Sequence, residues 1–124
     1  MPIQKVLLVD DEEDLRRIGK LGLGAVGKWQ VVLAVSGEEA LEKAREAQPD
    51  LVLLDVLMPG IDGPTTCERL KADPATRDIP VIFLTANTQP HEIDRYLALG
   101  ARGVIRKPFD PMNLAAEIRR LLGE

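Results

Sequence analysis

Asp10, Asp11, Asp55, Thr85 and Lys107 are side chains that do chemistry, and each stands just beyond a short aliphatic run. Val6–Val9 ends in Asp10-Asp11, Leu51–Leu54 in Asp55 and Val81–Leu84 in Thr85, while Gly103–Ile105 is followed by Arg106 and then Lys107. Three carboxylates drawn into one place cannot all stay ionised without a counter-charge. A divalent cation is the simplest remedy. Mg²⁺ takes hard oxygen ligands, keeps some of its water and prefers one or two carboxylates plus a phosphate. A lysine acting as a point charge, with a hydroxyl beside it, completes a set able to stabilise a transferring phosphoryl group. Within that set the plausible acceptor is a carboxylate, which would become an aspartyl phosphate.

That chemistry requires the run ends to converge, and the chain pattern supplies a way. The four runs, with Val31–Val35 between the first two, are short and continuously apolar, as strands of a parallel sheet buried on both faces are. Segments of helical spacing separate them: Leu15, Ile18, Gly22 and Ala25 early on, and Leu114, Ile118, Leu121 and Leu122 near the end. Strands alternating with helices imply right-handed crossovers and a doubly wound sheet. All carboxyl ends then lie on one edge, where ligands bind beside the point at which strand order reverses. With the flavodoxin-like order 2-1-3-4-5, Asp10, Asp11 and Asp55 crowd into one pocket.

Helix boundaries carry their own signals. Ser36-Gly37-Glu38-Glu39 matches a capping box, Gly63-Pro64 suits a helix start, and Gln48-Pro49-Asp50 and Asp73-Pro74 suit stops. Gly100 is expected as a C-terminal cap, and Pro111 in the first turn of the last helix. The first helix is ambiguous. Gly19, Gly22 and Gly24 each cost about 1 kcal/mol relative to Ala, and they either allow close packing on the sheet or fray its second half.

Composition narrows the function classes. The chain has 124 residues, 45% of them hydrophobic but only four aromatic, so one domain over residues 1–124 with an aliphatic core is expected. A net charge of -4 is not a nucleic-acid footprint. Cys67 is the lone cysteine and cannot form an internal disulfide. Neither a signal peptide nor a run of about 20 apolar residues is visible, so a cytoplasmic location without membrane attachment is expected.

The segments around these residues resemble the receiver domains of two-component response regulators, over essentially the whole chain. Val9-Asp10-Asp11 looks like the family's acidic pair, and Leu53-Leu54-Asp55-Val56-Leu57-Met58-Pro59-Gly60-Ile61-Asp62-Gly63 is similar to its phosphoacceptor segment. Pro80-Val81-Ile82-Phe83-Leu84-Thr85-Ala86 resembles the switch-threonine strand, and Gly100-Ala101-Arg102-Gly103-Val104-Ile105-Arg106-Lys107-Pro108-Phe109 the lysine segment. The resemblance implies a five-stranded (βα)₅ fold and a cis Lys107-Pro108 bond. It implies that Asp55 accepts a phosphoryl group from a histidine kinase or histidine phosphotransfer protein. Asp11, Asp55 and the Leu57 carbonyl would bind Mg²⁺ directly, and Asp10 through water. Lys107 and Thr85 would contact the phosphoryl oxygens, while Leu57 and Asn87 would tune its loss. A signalling module, not an enzyme, follows, acting on a downstream protein as a monomer or a phosphorylation-dependent dimer. One position departs from the pattern: receivers often carry Tyr or Phe three residues before the lysine, where this chain has Val104.

Other readings stand beside this one. Glu12, Glu13 and Asp14 are expected as solvated carboxylates at a helix start. His91 is expected in solvent, Cys67 in the core, Trp29 packed at the end of the first helix–strand unit and Tyr96 near the fourth helix and fifth strand. A phosphorylation-independent binding module of the same fold is the main alternative. An aspartate-nucleophile phosphatase is the enzyme-class alternative, weakened because its two aspartates would be separated by one residue and Asp10 and Asp11 are adjacent.

Overall fold

The computed structural model describes residues 3–124. Five parallel strands, β1 (Lys5–Val9), β2 (Gln30–Ala34), β3 (Leu51–Asp55), β4 (Val81–Thr85) and β5 (Gly103–Arg106), form one sheet in the order β2-β1-β3-β4-β5. Five helices alternate with them: α1 (Glu13–Lys20), α2 (Gly37–Ala47), α3 (Gly63–Ala72), α4 (Pro90–Ala98) and α5 (Leu114–Leu122). The doubly wound α/β class and the strand order expected from the sequence are those observed.

Alternate residues of the central strands face opposite ways, so the unbroken aliphatic runs serve two cores. Leu7, Val9, Val52, Leu54, Val81 and Phe83 meet α2, α3 and α4 on one side. Val6, Leu8, Leu51, Leu53, Ile82 and Leu84 meet Leu23, Leu114 and Ile118 on the other. Trp29 lies in the second core, where Arg119 rests its guanidinium 4.8 Å from the ring centroid. Cys67 is buried and His91 exposed, as expected. Edge strand β2 is partly sealed by Lys43, whose ammonium donates to the Leu33 carbonyl at 2.8 Å.

Local chemistry sets the boundaries. Ser36 Oγ accepts from the Glu39 N–H at 3.1 Å, and the Glu39 carboxylate reaches back to the Val35 N–H at 2.9 Å, one residue beyond the usual box. Gln48 ends α2 in the left-handed region, and Gly100 adopts φ +101 just after α4. The expectation for Pro111 is corrected. It stands before α5, which begins at Leu114, because the Asp110 carboxylate takes the Met112 N–H and the Asn113 side chain and closes a turn there first.

The ambiguity of the first helix resolves in favour of packing. A Cβ on Gly19 would come within 2.5 Å of the Leu8 side chain, and one on Gly22 within 2.6 Å of the Pro111 carbonyl oxygen. Beyond Lys20 the helix does not fray but widens into a π-wound extension over Leu21–Val26. Its buried residues are Gly19, Gly22 and Leu23, whereas Ile18 and Ala25 face outward. The apolar face expected from Leu15, Ile18, Gly22 and Ala25 is corrected accordingly, since the helix approaches the sheet through its glycines. Gly22→Ala should therefore lower stability to urea by about 2 kcal/mol through overpacking. Gly24→Ala, whose Cβ meets nothing closer than 3.8 Å, should be neutral or stabilising by up to about 1 kcal/mol.

Candidate functional site

Pairing of β1 with β3 sets Val9 opposite Leu54, so the next residues, Asp10 and Asp55, emerge side by side. Pairing of β3 with β4 sets Asp55 opposite Leu84, one residue before Thr85. The ladder continues past β5, where the Lys107 N–H donates to the Thr85 carbonyl at 2.9 Å. Strand register alone thus brings residues from four segments to one sheet edge. The Lys107-Pro108 peptide is cis, as the resemblance implied.

Lys107 reaches across this edge. Its ammonium donates to Asp55 Oδ1 at 2.9 Å and lies 3.1 Å from Asp10 Oδ2. Asp10 and Asp55 are 1% and 4% exposed, so the two carboxylates share a single buried ammonium. The Lys107–Asp10 approach is an ion pair outside hydrogen-bond geometry, which leaves Asp10 Oδ2 buried with no hydrogen-bond partner. Asp10 Oδ1 accepts from the Glu12 N–H at 2.9 Å, and Arg16 donates to the Asp10 carbonyl at 2.8 Å. Asp11 sits exposed at the rim. Asp10, Asp11 and Asp55 each offer an oxygen within 4.8 Å of the others.

A cavity of about 210 Å³ opens beside them, lined by Glu12, Asp55, Val56, Leu57, Thr85, Ala86 and Lys107. The Leu57 side chain is 79% exposed at its mouth. Thr85 is buried, and its Oγ1 accepts from the Asn87 N–H at 3.0 Å. Glu12 lines the cavity at the start of α1 without capping the helix through its side chain. Glu12 is exposed at the N-terminal boundary of α1, as expected of a solvated carboxylate at a helix start. A larger groove of about 650 Å³ lies between α1 and β2, but its lining of Ile18, Leu21, Ala25, Trp29 and Val31 with Arg17 and Lys20 offers no carboxylate, hydroxyl or thiol.

Electrostatics confirm the crowding. Burial pushes the Asp55 carboxyl above the usual range, the Lys107 bond pulls it back, and the Asp10 charge pushes it up again. Burial alone would depress Lys107, but Asp55 and Asp10 outweigh it and hold the ammonium on. One cation against two buried carboxylates leaves a surplus of acidic groups, and Asp10 Oδ2 is buried without a hydrogen-bond partner, so the cluster is suited to an added cation. The donor set is all oxygen, which suits a hard divalent ion.

Sequence reasoning missed the residues that hold this edge still. Glu38, on α2, accepts the Ile61 N–H at 3.1 Å and anchors the loop after β3. Asp62 caps α3 by accepting the Thr65 N–H at 2.9 Å. The Asp62 signal was readable, since an aspartate just before Gly63-Pro64 is a natural cap. The Glu38 and Arg16 bonds join loops to helices and leave no periodic trace.

Comparison with known proteins agrees with this geometry. A family model for the response regulator receiver domain matches residues 6–119. The chain is 41% identical over 117 residues to the response regulator PleD of Caulobacter vibrioides, covering 94% of this chain and 26% of PleD. It is 44% identical over 119 residues to the ycf27 protein of Cyanophora paradoxa, covering 96% of this chain and 48% of that one. Among solved structures, chemotaxis protein CheY4 of Vibrio cholerae superposes with a TM-score of 0.89 at 32% identity, covering 97% of this chain and 99% of that one. These relationships and the fold define a two-component signalling module. The chain belongs to the response regulator receiver family. It spans about half the length, 45–49%, of the ycf27 relatives it matches. No helix among the described residues is long and apolar enough to cross a membrane.

Because the folded protein raises the Asp55 pKa, the ionised carboxylate opposes folding, fully above the folded pKa and not at all below the unfolded one. Asp55→Asn should therefore be more stable than the native chain near neutral pH, by about 1 kcal/mol. The advantage should shrink as pH falls through the folded pKa of Asp55, a trend that urea denaturation across a pH series will show.

Proposed function

We propose that the chain is a phosphorylation-controlled switch in which Asp55 accepts a phosphoryl group from a phosphohistidine on a kinase or phosphotransfer protein. The observation that carries this reading is the Lys107 ammonium, 2.9 Å from an Asp55 carboxylate that sits in an acidic cup. Lys107 occupies Asp55 Oδ1, which leaves Oδ2 to attack phosphorus. The new oxygen–phosphorus bond replaces the donor's nitrogen–phosphorus bond, and the imidazole departs with that electron pair.

Lys107 then has a dianion to neutralise in place of a carboxylate, while the Thr85 hydroxyl can donate to one of its oxygens. Asp10 is fixed at the base of the cup through the Glu12 N–H and Arg16. Asp11, Asp55 and the Leu57 carbonyl would hold Mg²⁺ directly and Asp10 through water, the ion supplying charge neutralisation to the phosphoryl oxygens when bound. Asp55 and Thr85 both line the cavity, so an anion held there would be within reach of both.

Phosphorylation is expected to shift a pre-existing balance between two arrangements of the loops after β3 and β4, to the extent that it favours one of them. The downstream reader would be a protein partner or a second copy of the chain, in a cytoplasmic setting.

Incubation with Mg²⁺ and acetyl phosphate should add the mass of one phosphoryl group, read by intact-protein mass spectrometry, and Asp55→Asn should abolish it. Failure with small donors and with histidine kinases alike would favour the phosphorylation-independent binding module. Mg²⁺ alone should raise the melting temperature in a concentration-dependent way, approaching about 2.7 kcal/mol of stabilisation at a hundredfold excess over Kd. That rise should be much smaller in Asp11→Asn, and an equal rise in both proteins would remove Asp11 from the ligand set.

A further inference from the structure

The first helix leaves an apolar surface that the fold does not cover. It meets the sheet through Gly19 and Gly22, so Ile18 and Leu21 are turned away and stand 40% and 53% exposed. Both wall the groove of about 650 Å³ between α1 and β2, opposite Trp29 and Val31. The Trp29 ring is held from behind, where Arg119 lies 4.8 Å from its centroid and donates to the Gly27 carbonyl at 3.2 Å. Gly24, in the π-wound extension, keeps the groove open. A Cβ there would stand 3.8 Å from both Val31 Cγ2 and the Trp29 carbonyl oxygen. The backbone thus tolerates a side chain at this position, and one longer than a methyl would take up groove volume.

The lining selects a chemistry. Small-molecule sites are mostly apolar, with a few polar groups that fix orientation. Here no lining side chain carries a carboxylate, hydroxyl, amide or thiol, so a polar body would find nothing to pair with. The only charged groups are Arg17 and Lys20, three residues apart and therefore on one side of the helix. The chain as a whole has a net charge of -4, yet this rim is cationic. Arg17 meets Glu13 at 3.2 Å, but those side chains are 72% and 76% exposed, and an anion can compete with so weak a pair. Lys20 has no ion pair among the described residues. The groove therefore complements a molecule that is apolar along its length and anionic at one end.

We propose that this groove binds a small amphiphilic anion of the fatty-acid class, its alkyl chain lying against Ile18, Leu21, Trp29 and Val31 and its carboxylate held by Arg17 and Lys20. The site is separate from the Asp55 cavity, with which it shares no lining residue. It stands or falls independently of the phosphoryl reading.

The test uses the full chain, with decanoate as the probe and Trp29, the only tryptophan, as the reporter inside the groove. Monomeric decanoate should change the Trp29 emission along a saturable curve, with one equivalent bound by calorimetry. Butyrate, a head without the tail, should give no response over the same concentrations. Replacing both cations, Arg17→Gln with Lys20→Gln, should weaken decanoate about fivefold and leave the uncharged decanamide unaffected. Gly24→Leu should abolish the response by filling the groove. Leu21→Glu should do the same from an exposed position, and urea denaturation will verify that both variants fold. Several decanoates per chain, equal affinity for decanoate and decanamide, or undiminished binding in both Gly24→Leu and Leu21→Glu would each overturn the proposal. A native dimer that Leu21→Glu dissociates would also overturn it, making the groove an interface between copies. Silence toward decanoate would overturn it as well, and a simultaneous loss of phosphotransfer from a histidine kinase in Leu21→Glu would assign the groove to a protein helix.

Discussion

Everything in this molecule depends on an unfavourable arrangement that its sheet enforces: two buried carboxylates and a third at the rim, answered by one ammonium. Parallel strands deliver their carboxyl ends to a single edge, so Asp10 and Asp55 have no way to separate while β1 and β3 stay in register. The two aliphatic cores on either side hold that register, with Leu53, Leu54 and their neighbours fully buried. Apolar burial, worth about 1.5–3 kcal/mol for each large side chain, keeps charges together that would otherwise part. The site's readiness for a cation, or for a group that recruits one, is a consequence of the fold's own packing.

The same edge gives two neighbouring cavities a shared set of residues. Thr85 belongs both to the cavity of Asp55 and to the cavity beside α4. Lys107 is joined to Thr85 through the backbone and to Asp55 through its side chain. A change in charge at Asp55 is therefore felt by two groups that are already in mutual contact, without any long chain of intermediaries. Glu38 and Asp62 restrain the loop after β3 and the start of α3 through the Ile61 and Thr65 amides.

Much of this was legible in the sequence because it rests on short-range pattern. Each strand announced itself by an aliphatic run, and the type of residue ending each run was enough to foresee who would meet at the edge. The Ser36 box and the stops at Gln48 and Asp73 were equally local. What escaped has a common physical character. The outward turn of Ile18 and Ala25 follows from a widened helix and glycine contacts with Leu8 and Pro111, neither of which leaves a periodic signal. Pro111 was displaced from its expected helix by a side-chain turn at Asp110 that competes with helix initiation. Tyr96 was expected near the fourth helix and fifth strand, but its ring contact with Phe83 joins α4 to β4 and leaves no local signal. Nor could sequence reveal that Asp10 would keep one oxygen buried and unbonded, since that depends on the angle at which Lys107 arrives.

The lysine seated on edge strand β2 has a consequence of its own. An aliphatic sheet with an open margin invites a foreign strand to add to it, which is how ordered aggregates begin. Lys43 already occupies the Leu33 carbonyl, so an incoming strand would have to displace a charged donor and leave an ammonium stranded against its own backbone. Lys43 thus guards the β2 margin of an aliphatic sheet at Leu33.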